Sequence, residues 1–435
     1  MARKRDSQIR RSLTSLISAR RIRQLGHELG VVRRRRKIDV VALVYALVLG
    51  FSSGNRRTLA ALRRAYERAT GTCLVASAFY DRFSVALARL MKRLLQEALE
   101  RVAARTPRLH RAFRTFEQVL VADGTVIRLH EALAAAFPSV WPNHMPASAK
   151  LHVVINVVGR GPSTVRIARG SRQDVRLLRV GAWVRGKLLL FDQGYFKGLL
   201  FHQIARNEGF FLTRLKAHCN PVVRASAQEA HRCFVGQPLQ SMLPRLGRET
   251  LDVDVDLHFL ALRDGARRHS YTPVRVVGVW NAAERHHHLY VTNVPRDRLV
   301  AAQVSGVYAA RWEVELFFRE LKTHYRIDDV RSCRRQVTEC LLYASLLTLV
   351  MSRRLYDLLA PSTTGPLQPH PMDRWAVLFG AIADQLLHLL IGPRAHRALL
   401  ASRLRRLILH EARDPNRRRL LLPIRAQLGQ IRVAA

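Results

Sequence analysis

EQVLVADGTVIRL, residues 117–129, is the stretch on which the reading of the fold turns. It is short and rich in Val, Leu and Ile, which predicts a central strand buried on both faces, with Asp123 in its middle. A carboxylate is costly there, because a buried charge without a partner loses its hydration. Two explanations fit Asp123: metal ligation, or a bulge or turn beside Gly124.

Downstream, residues 150–158 and 164–168 read as two more strands, joined by the turn Gly159-Arg160-Gly161-Pro162. Residues 173–184 read as a helix. Residues 187–192, KLLLFD, form a strongly apolar strand that ends on Asp192 and is followed by Gln193-Gly194. The carboxyl ends of such strands are where α/β sheets present their working groups. Strand, strand, strand, helix, strand, with acids on the first and fourth strands, predicts a ribonuclease H-like sheet, and residues 210–215 add a fifth strand.

Residues 216–302 lose the helical rhythm, with strand-like runs at 251–262, 272–280 and 288–293, and predict a β-rich insertion. The run His286-His287-His288 is not read as a metal site, since consecutive side chains on a strand point to alternate faces. Trp280 is read as a core residue, with stacking on a nucleobase as the alternative.

Residues 308–322, YAARWEVELFFRELK, then predict an amphipathic helix. At about 100° per residue, Tyr308, Arg311, Glu315 and Lys322 fall within an arc of about 60°. Val307, Ala310, Val314, Phe317, Phe318 and Leu321 form the apolar sector, and Glu313 and Glu320 lie on the far side. A carboxylate beside Arg, Lys and Tyr suits a site where a hard cation meets phosphate oxygens. An ordinary helix with a solvated charged face is the competing reading. Residues 337–359 follow as a long helix whose Tyr343, Leu346, Leu347, Val350 and Met351 can pack on the sheet.

The 435 residues, 48% of them hydrophobic, suffice for one large domain or two to three ordinary ones. Lys and Arg number 73 against 32 Asp and Glu, a formal charge of +41, so the expected partner is nucleic acid, with a membrane surface a distant second. Basic residues crowd positions 1–37, where Arg20, Arg21, Arg23 and the block 33–37 predict an electrostatic DNA contact. Residues 40–51, 58–69, 77–90 and 91–104 read as helices of an all-α domain that Thr106-Pro107 closes. The apolar run 38–51 is too short to span a bilayer and reads as a buried helix. The five cysteines lack CxxC spacing and read as reduced core thiols of a cytoplasmic protein. No GxxxxGK[ST] or strand-linked GxGxxG occurs, so no nucleotide cofactor is expected. Residues 360–371 read as a linker. The tail beyond them is helical in pattern, with basic clusters at Arg403, Arg405, Arg406 and at residues 417–419.

The domains predicted in this way are 1–106, a basic arm and helical DNA-binding domain; 107–215, the first part of the catalytic core; 216–302, the insertion; 303–360, the core helices; and 361–435, a basic helical C-terminal region. The sheet would set Asp123 beside Asp192 and the helix would deliver Glu315. Three such carboxylates can hold two Mg²⁺ ions, or Mn²⁺ in their place, about 3.5–4 Å apart for in-line phosphodiester displacement.

The spacing Tyr308, two residues, Arg311, three residues, Glu315, six residues, Lys322 resembles the Y-(2)-R-(3)-E-(6)-K signature of bacterial insertion-sequence DDE transposases of the IS-four family. VADGTVIRL resembles that family's first-Asp strand and LLFDQGYFK its second-Asp strand, and the resemblance covers residues 25 to 360. It implies that Asp123, Asp192 and Glu315 ligate two Mg²⁺ ions while Tyr308, Arg311 and Lys322 grip phosphates and the transposon end. It also implies cleavage at terminal inverted repeats, joining to target DNA, and action as a dimer in a synaptic complex on the bacterial nucleoid. A ribonuclease H-like nuclease or recombinase that does not transpose, and a nucleic-acid-binding protein without catalysis, are the alternative functions.

Overall fold

β1 (Val119–Arg128) is the axis of the sheet. It pairs antiparallel with β2 (Ser148–Asn156), and β2 pairs antiparallel with β3 (Gly161–Arg169). On its other side β1 runs parallel to β4 (Leu188–Leu190), which runs parallel to β5 (Phe210–Arg214). Beyond β5 the same sheet continues through β6 (Val223–Ser226), β7 (Leu251–Arg263), β8 (Ala266–Asn281) and β9 (His286–Thr292), in the order β3-β2-β1-β4-β5-β9-β8-β7-β6. The strands of the region 216–302 thus extend the central sheet through the antiparallel β5–β9 pair. This computed structural model describes residues 2–32, 38–50, 57–103, 115–157, 161–263, 266–359 and 372–411. The basic block 33–37, the Thr106-Pro107 stop, the start of the 159–162 turn, the 360–371 linker and the 417–419 cluster lie outside the described residues.

Because strand side chains alternate, β1 feeds two cores. Val119, Val121 and Ile127 join a large core shared with the helices, while Leu120 and Ala122 join a second core on the opposite face. Asp123 has the parity of Val119 and Val121 and so belongs to the helix-covered face.

Among the described residues six helices precede the sheet: α1 (Ala2–Leu16), α2 (Ala19–Glu28), α3 (Val40–Leu49), α4 (Leu59–Thr70), α5 (Ala76–Tyr80) and α6 (Val85–Ala103). Within and after the sheet come α7 (Gly198–Arg206), α8 (Leu239–Met242), α9 (Ala301–Ala309), α10 (Trp312–Thr323), α11 (Arg335–Leu359), α12 (Met372–Ile391) and α13 (Arg394–Glu411). All ten residues of α3 are buried, and Asp39 caps it by accepting from the Ala42 N–H at 2.8 Å. α3 packs against α2, α4, α11 and α12. Arg57 ties α3 to α11, donating to the Leu47 carbonyl at 3.0 Å and to Thr348 Oγ1 at 3.1 Å. α12 is long and apolar enough to cross a membrane, but its apolar face is buried in this bundle.

Several local expectations need correction. Residues 173–184 form no α-helix; two 3₁₀ turns, Asp174–Arg176 and Ala182–Val184, stand there instead. The backbone is fully extended at Gly181, and Asp174 is engaged by Lys150 of β2 at 2.8 Å, so tertiary contacts outweigh the helical pattern. Residues 77–104 break at 81–84 and not at 90, because Ser84 caps α6 through the Leu87 N–H at 3.2 Å. α11 touches β3, but it packs more extensively on α6, α1 and α3 than on the sheet. All five thiols are free, yet only Cys340 is buried; Cys219 is half-buried and Cys73, Cys233 and Cys333 are exposed, so most are not core residues.

Candidate active site

Parallel pairing sets the first two acids. Val119 lies opposite Leu188 and Val121 opposite Leu190; Asp123 and Asp192 follow two residues beyond this last registered pair, near enough for the Asp192 charge to act on Asp123. Asp123 occupies the middle of a regularly paired strand, opposite Val153, with no bulge in the β1–β2 register. The bulge explanation therefore fails. Asp192 lies just past β4 and caps a 3₁₀ turn, its Oδ1 accepting from the Gly194 N–H at 3.0 Å and its carbonyl from Thr213 Oγ1 at 3.2 Å.

Burial pushes the Asp123 carboxyl up to about 7, and the charges of Asp192 and Asp174 push in the same direction. The Gly124 N–H, donated to Asp123 Oδ1 at 2.7 Å, and the Arg311 guanidinium oppose them. Asp123 is thus a buried carboxylate beside two other acids, only partly neutralised, a position that a divalent, oxygen-seeking cation would relieve.

The third acid arrives on α10, which packs against β1. The single helix expected over 308–322 is divided: α9 ends at Ala309 and α10 begins at Trp312. Across the join the N–H groups of Ala310, Arg311, Glu313 and Val314 donate to carbonyls three residues back, at 2.9 to 3.2 Å. This tighter winding advances about 120° per residue, so Tyr308 is rotated away from its expected place relative to Glu315. Arg311 restores the connection. Its Nη2 pairs with Glu315 Oε1 at 2.8 Å, its guanidinium lies 6.0 Å from the Tyr308 ring centre, and its charge acts on Asp123.

Tyr308 packs edge-to-face on Tyr290 of β9, with ring centres 5.2 Å apart, and burial pushes its phenol up to about 12. Among the described residues Lys322 forms no ion pair, and it is half-buried. The entry to α9 is fixed by Arg275 of β8, which grips Asp252 of β7 through two bonds of 2.8 and 2.7 Å and donates to the Leu299 carbonyl at 2.6 Å.

The sequence reading missed a polar cluster behind Asp123. A Cβ on Gly124 would lie 1.9 Å from Asp174 Oδ1, so glycine is required there by close approach. His152, opposite Gly124 in the β1–β2 register, is 2% exposed, and burial lowers its imidazole to about 4. Burial also raises the phenol of Tyr195, which lies beside His152 and Phe191. The available signal was a Lys and a His inside an otherwise apolar strand. Trp280 is half-buried against His287, and is neither a full core residue nor a free stacking surface.

Among the described residues, the set of three potential metal ligands whose donor atoms all lie within 4.8 Å of one another is Glu284, His286 and His288. Asp123, Asp192 and Glu315 do not converge on a single point.

Comparison with known proteins returns one theme. Residues 114–351 match the family described as Transposase DDE domain. The chain is 20% identical over 326 residues to the transposase for insertion sequence element IS1151 of Clostridium perfringens, covering 68% of this chain and 69% of that one. It is 20% identical over 361 residues to the transposase for insertion sequence element IS231E of Bacillus thuringiensis subsp. finitimus, covering 76% of each. A cryo-EM structure of the piggyBac transposase synaptic complex with hairpin DNA aligns with 97% of this chain and 84% of that one, at 9% identity and a TM-score of 0.44.

Proposed function

Because the chain belongs to the transposase DDE domain family and is on that ground a DNA-transposing enzyme, we propose that Asp123, Asp192 and Glu315 are its catalytic carboxylates. The observation that carries this reading is the position of Asp123 on β1 and of Asp192 just past the parallel neighbour β4, with Arg311 paired to Glu315 and its charge acting on Asp123. The order β3-β2-β1-β4-β5 supports a ribonuclease H-like core.

Asp123, Asp192 and Glu315 would hold two Mg²⁺ ions, or Mn²⁺, which when bound activate the attacking hydroxyl and stabilise the leaving oxygen. The chain's own side chains do the rest. Arg311 holds Glu315 by one oxygen and leaves the other for a ligand. Tyr308 keeps its proton at any working pH and can donate to a phosphate oxygen, and Lys322 offers an unengaged ammonium to the backbone of the transposon end. The substrates are double-stranded DNA ends and a target duplex, a choice that the charge of +41 favours. The enzyme would cut at terminal inverted repeats and join the ends to the target, as a homodimer in a synaptic complex, in the cytoplasm and without a nucleotide cofactor.

The test is Mg²⁺-dependent cutting and joining of a duplex carrying the element's own terminal repeat. The native protein should nick at the repeat end and transfer the strand, and Glu315→Gln should bind the duplex without cutting it. Equal cutting by both removes Glu315 from the chemistry, and cutting without joining makes the protein a nuclease.

A further inference from the structure

The β8–β9 hairpin ends in a turn at residues 282–285, closed by the pair Asn281 and His286. Asn281 organises this turn: its Oδ1 accepts from the Ala283 N–H at 3.0 Å and the Glu284 N–H at 3.4 Å. That fixes the orientation of the amide, so its Nδ2 faces His288 Nε2 at 3.1 Å. His286 and His288, two apart on β9, project to one face, with ring centres 5.1 Å apart. His287 takes the other face, where its Nε2 meets the Glu249 carbonyl at 2.8 Å.

On the shared face both Nε2 atoms converge on one oxygen, Glu284 Oε2, at 3.2 Å from His286 and 2.8 Å from His288. The opposite nitrogen of His286, Nδ1, lies 3.1 Å from the Glu284 carbonyl, an acceptor, so Nδ1 carries a proton. In neutral imidazole this leaves the lone pair on Nε2, aimed at the carboxylate. The Asn281 amide likewise calls for a lone pair on His288 Nε2. Lone pairs directed at a carboxylate oxygen from hydrogen-bonding distance are satisfied by a proton on the ring nitrogen or by a cation between them, and the three donor atoms lie close enough together to share one cation. Bonds of about 2.0–2.1 Å in tetrahedral geometry separate ligand atoms by about 3.3 Å, close to the spacing found here.

We propose that Glu284, His286 and His288 form a binding site for a borderline divalent transition metal such as Zn²⁺, distinct from the Asp123, Asp192 and Glu315 group and independent of the transposase reading. Two imidazoles and one carboxylate select Zn²⁺ over Mg²⁺, which favours oxygen ligands throughout. The bond from His286 Nδ1 to a backbone carbonyl is the outer contact that metal-bound histidines use to fix ring orientation. A metal here would take over the His288 lone pair from the Asn281 amide, leave a fourth position to water, and lock the hairpin turn. The face it locks continues along β9 to Tyr290, which packs on Tyr308.

The experiment is a competition titration of Zn²⁺ between a chromophoric chelator and the full-length protein, under reducing conditions with Mg²⁺ in excess. The variants are His286→Ala with His288→Ala, Glu284→Gln, and His287→Ala as the opposite-face control, each checked for folding by its thermal transition. The native protein and His287→Ala should bind one equivalent more than the double variant, and Glu284→Gln should bind it about tenfold or more weakly. As a second readout, Co²⁺ should give a visible absorption band with the native protein that the double variant lacks. Equal Zn²⁺ stoichiometry in the native and double-variant proteins, or an equal loss in His287→Ala, overturns the site.

Discussion

Asp123 holds its proton up to about pH 7 in the fold, whereas an exposed aspartate releases it near 3.8. The unfolded chain therefore sheds a proton that the native state retains, and stability falls as pH rises from about 4 to about 7. The full shift, about 3 pH units, corresponds to roughly 4 kcal/mol at about 1.4 kcal/mol per unit. Asp123→Asn should accordingly raise the melting temperature of metal-free protein at pH 8 by a few degrees. Added Mg²⁺ should stabilise the native protein but not the variant. Calorimetry at pH 5 and pH 8 checks both, and a variant less stable at pH 8 would contradict the assignment. At Gly124 the missing Cβ is what admits Asp174. Gly124→Ala should cost about 1–3 kcal/mol in chemical denaturation, and part of that should return when Asp174→Ala is added. Asp123 was legible because a carboxylate in an apolar strand stands out. Asp174 was not, because its partners, Lys150 and the Gly124 backbone, are distant in sequence.

α10 reaches the sheet at a fixed angle because its rear face is anchored. Glu320, 3% exposed, forms an ion pair with Arg353 of α11, while Ser352 of α11 accepts from the Tyr325 hydroxyl at 2.6 Å and from Trp375 Nε1 of α12 at 2.9 Å. Removing one partner of a buried pair leaves the other uncompensated. Glu320→Gln should therefore lower unfolding free energy by about 3 kcal/mol or more in urea, and a loss under 1 kcal/mol would show that the pair does not anchor α10. The amphipathic period revealed this helix but not the join at Ala310 and Arg311, since nothing in residues 308–312 is a strong breaker. The join falls between α9, which packs on β8, and α10, which packs on β1. Residues 173–184 show the same limit, for there a salt bridge and an extended glycine override a helical pattern.

Across the whole molecule, the alternation of strands and helices disclosed the sheet around β1, and the strand composition of 251–293 disclosed the later strands. Their continuity with β5 was hidden, because β5 and β9 are far apart in sequence and pair through only three residues. The shared packing of α3 with α11 and α12 was equally invisible, as helix periodicity names a buried face but not its partner. Net charge acts at this same scale. Binding to an unrelated duplex should weaken linearly in log affinity with log salt, with a slope of about −0.9 for each phosphate neutralised, which fluorescence anisotropy over a salt series measures. A slope near zero would remove the charge of +41 from the account of DNA binding.

We propose Asp123 as a direct ligand of the catalytic ion. The most direct measurement is strand cleavage of the terminal-repeat duplex by Asp123→Cys, assayed in Mg²⁺ and then in Mn²⁺. A sulfur ligand should abolish cutting in Mg²⁺ and restore part of it in the softer ion, while duplex binding stays intact. Full activity in Mg²⁺, or a folded and DNA-binding variant that neither ion revives, would contradict it.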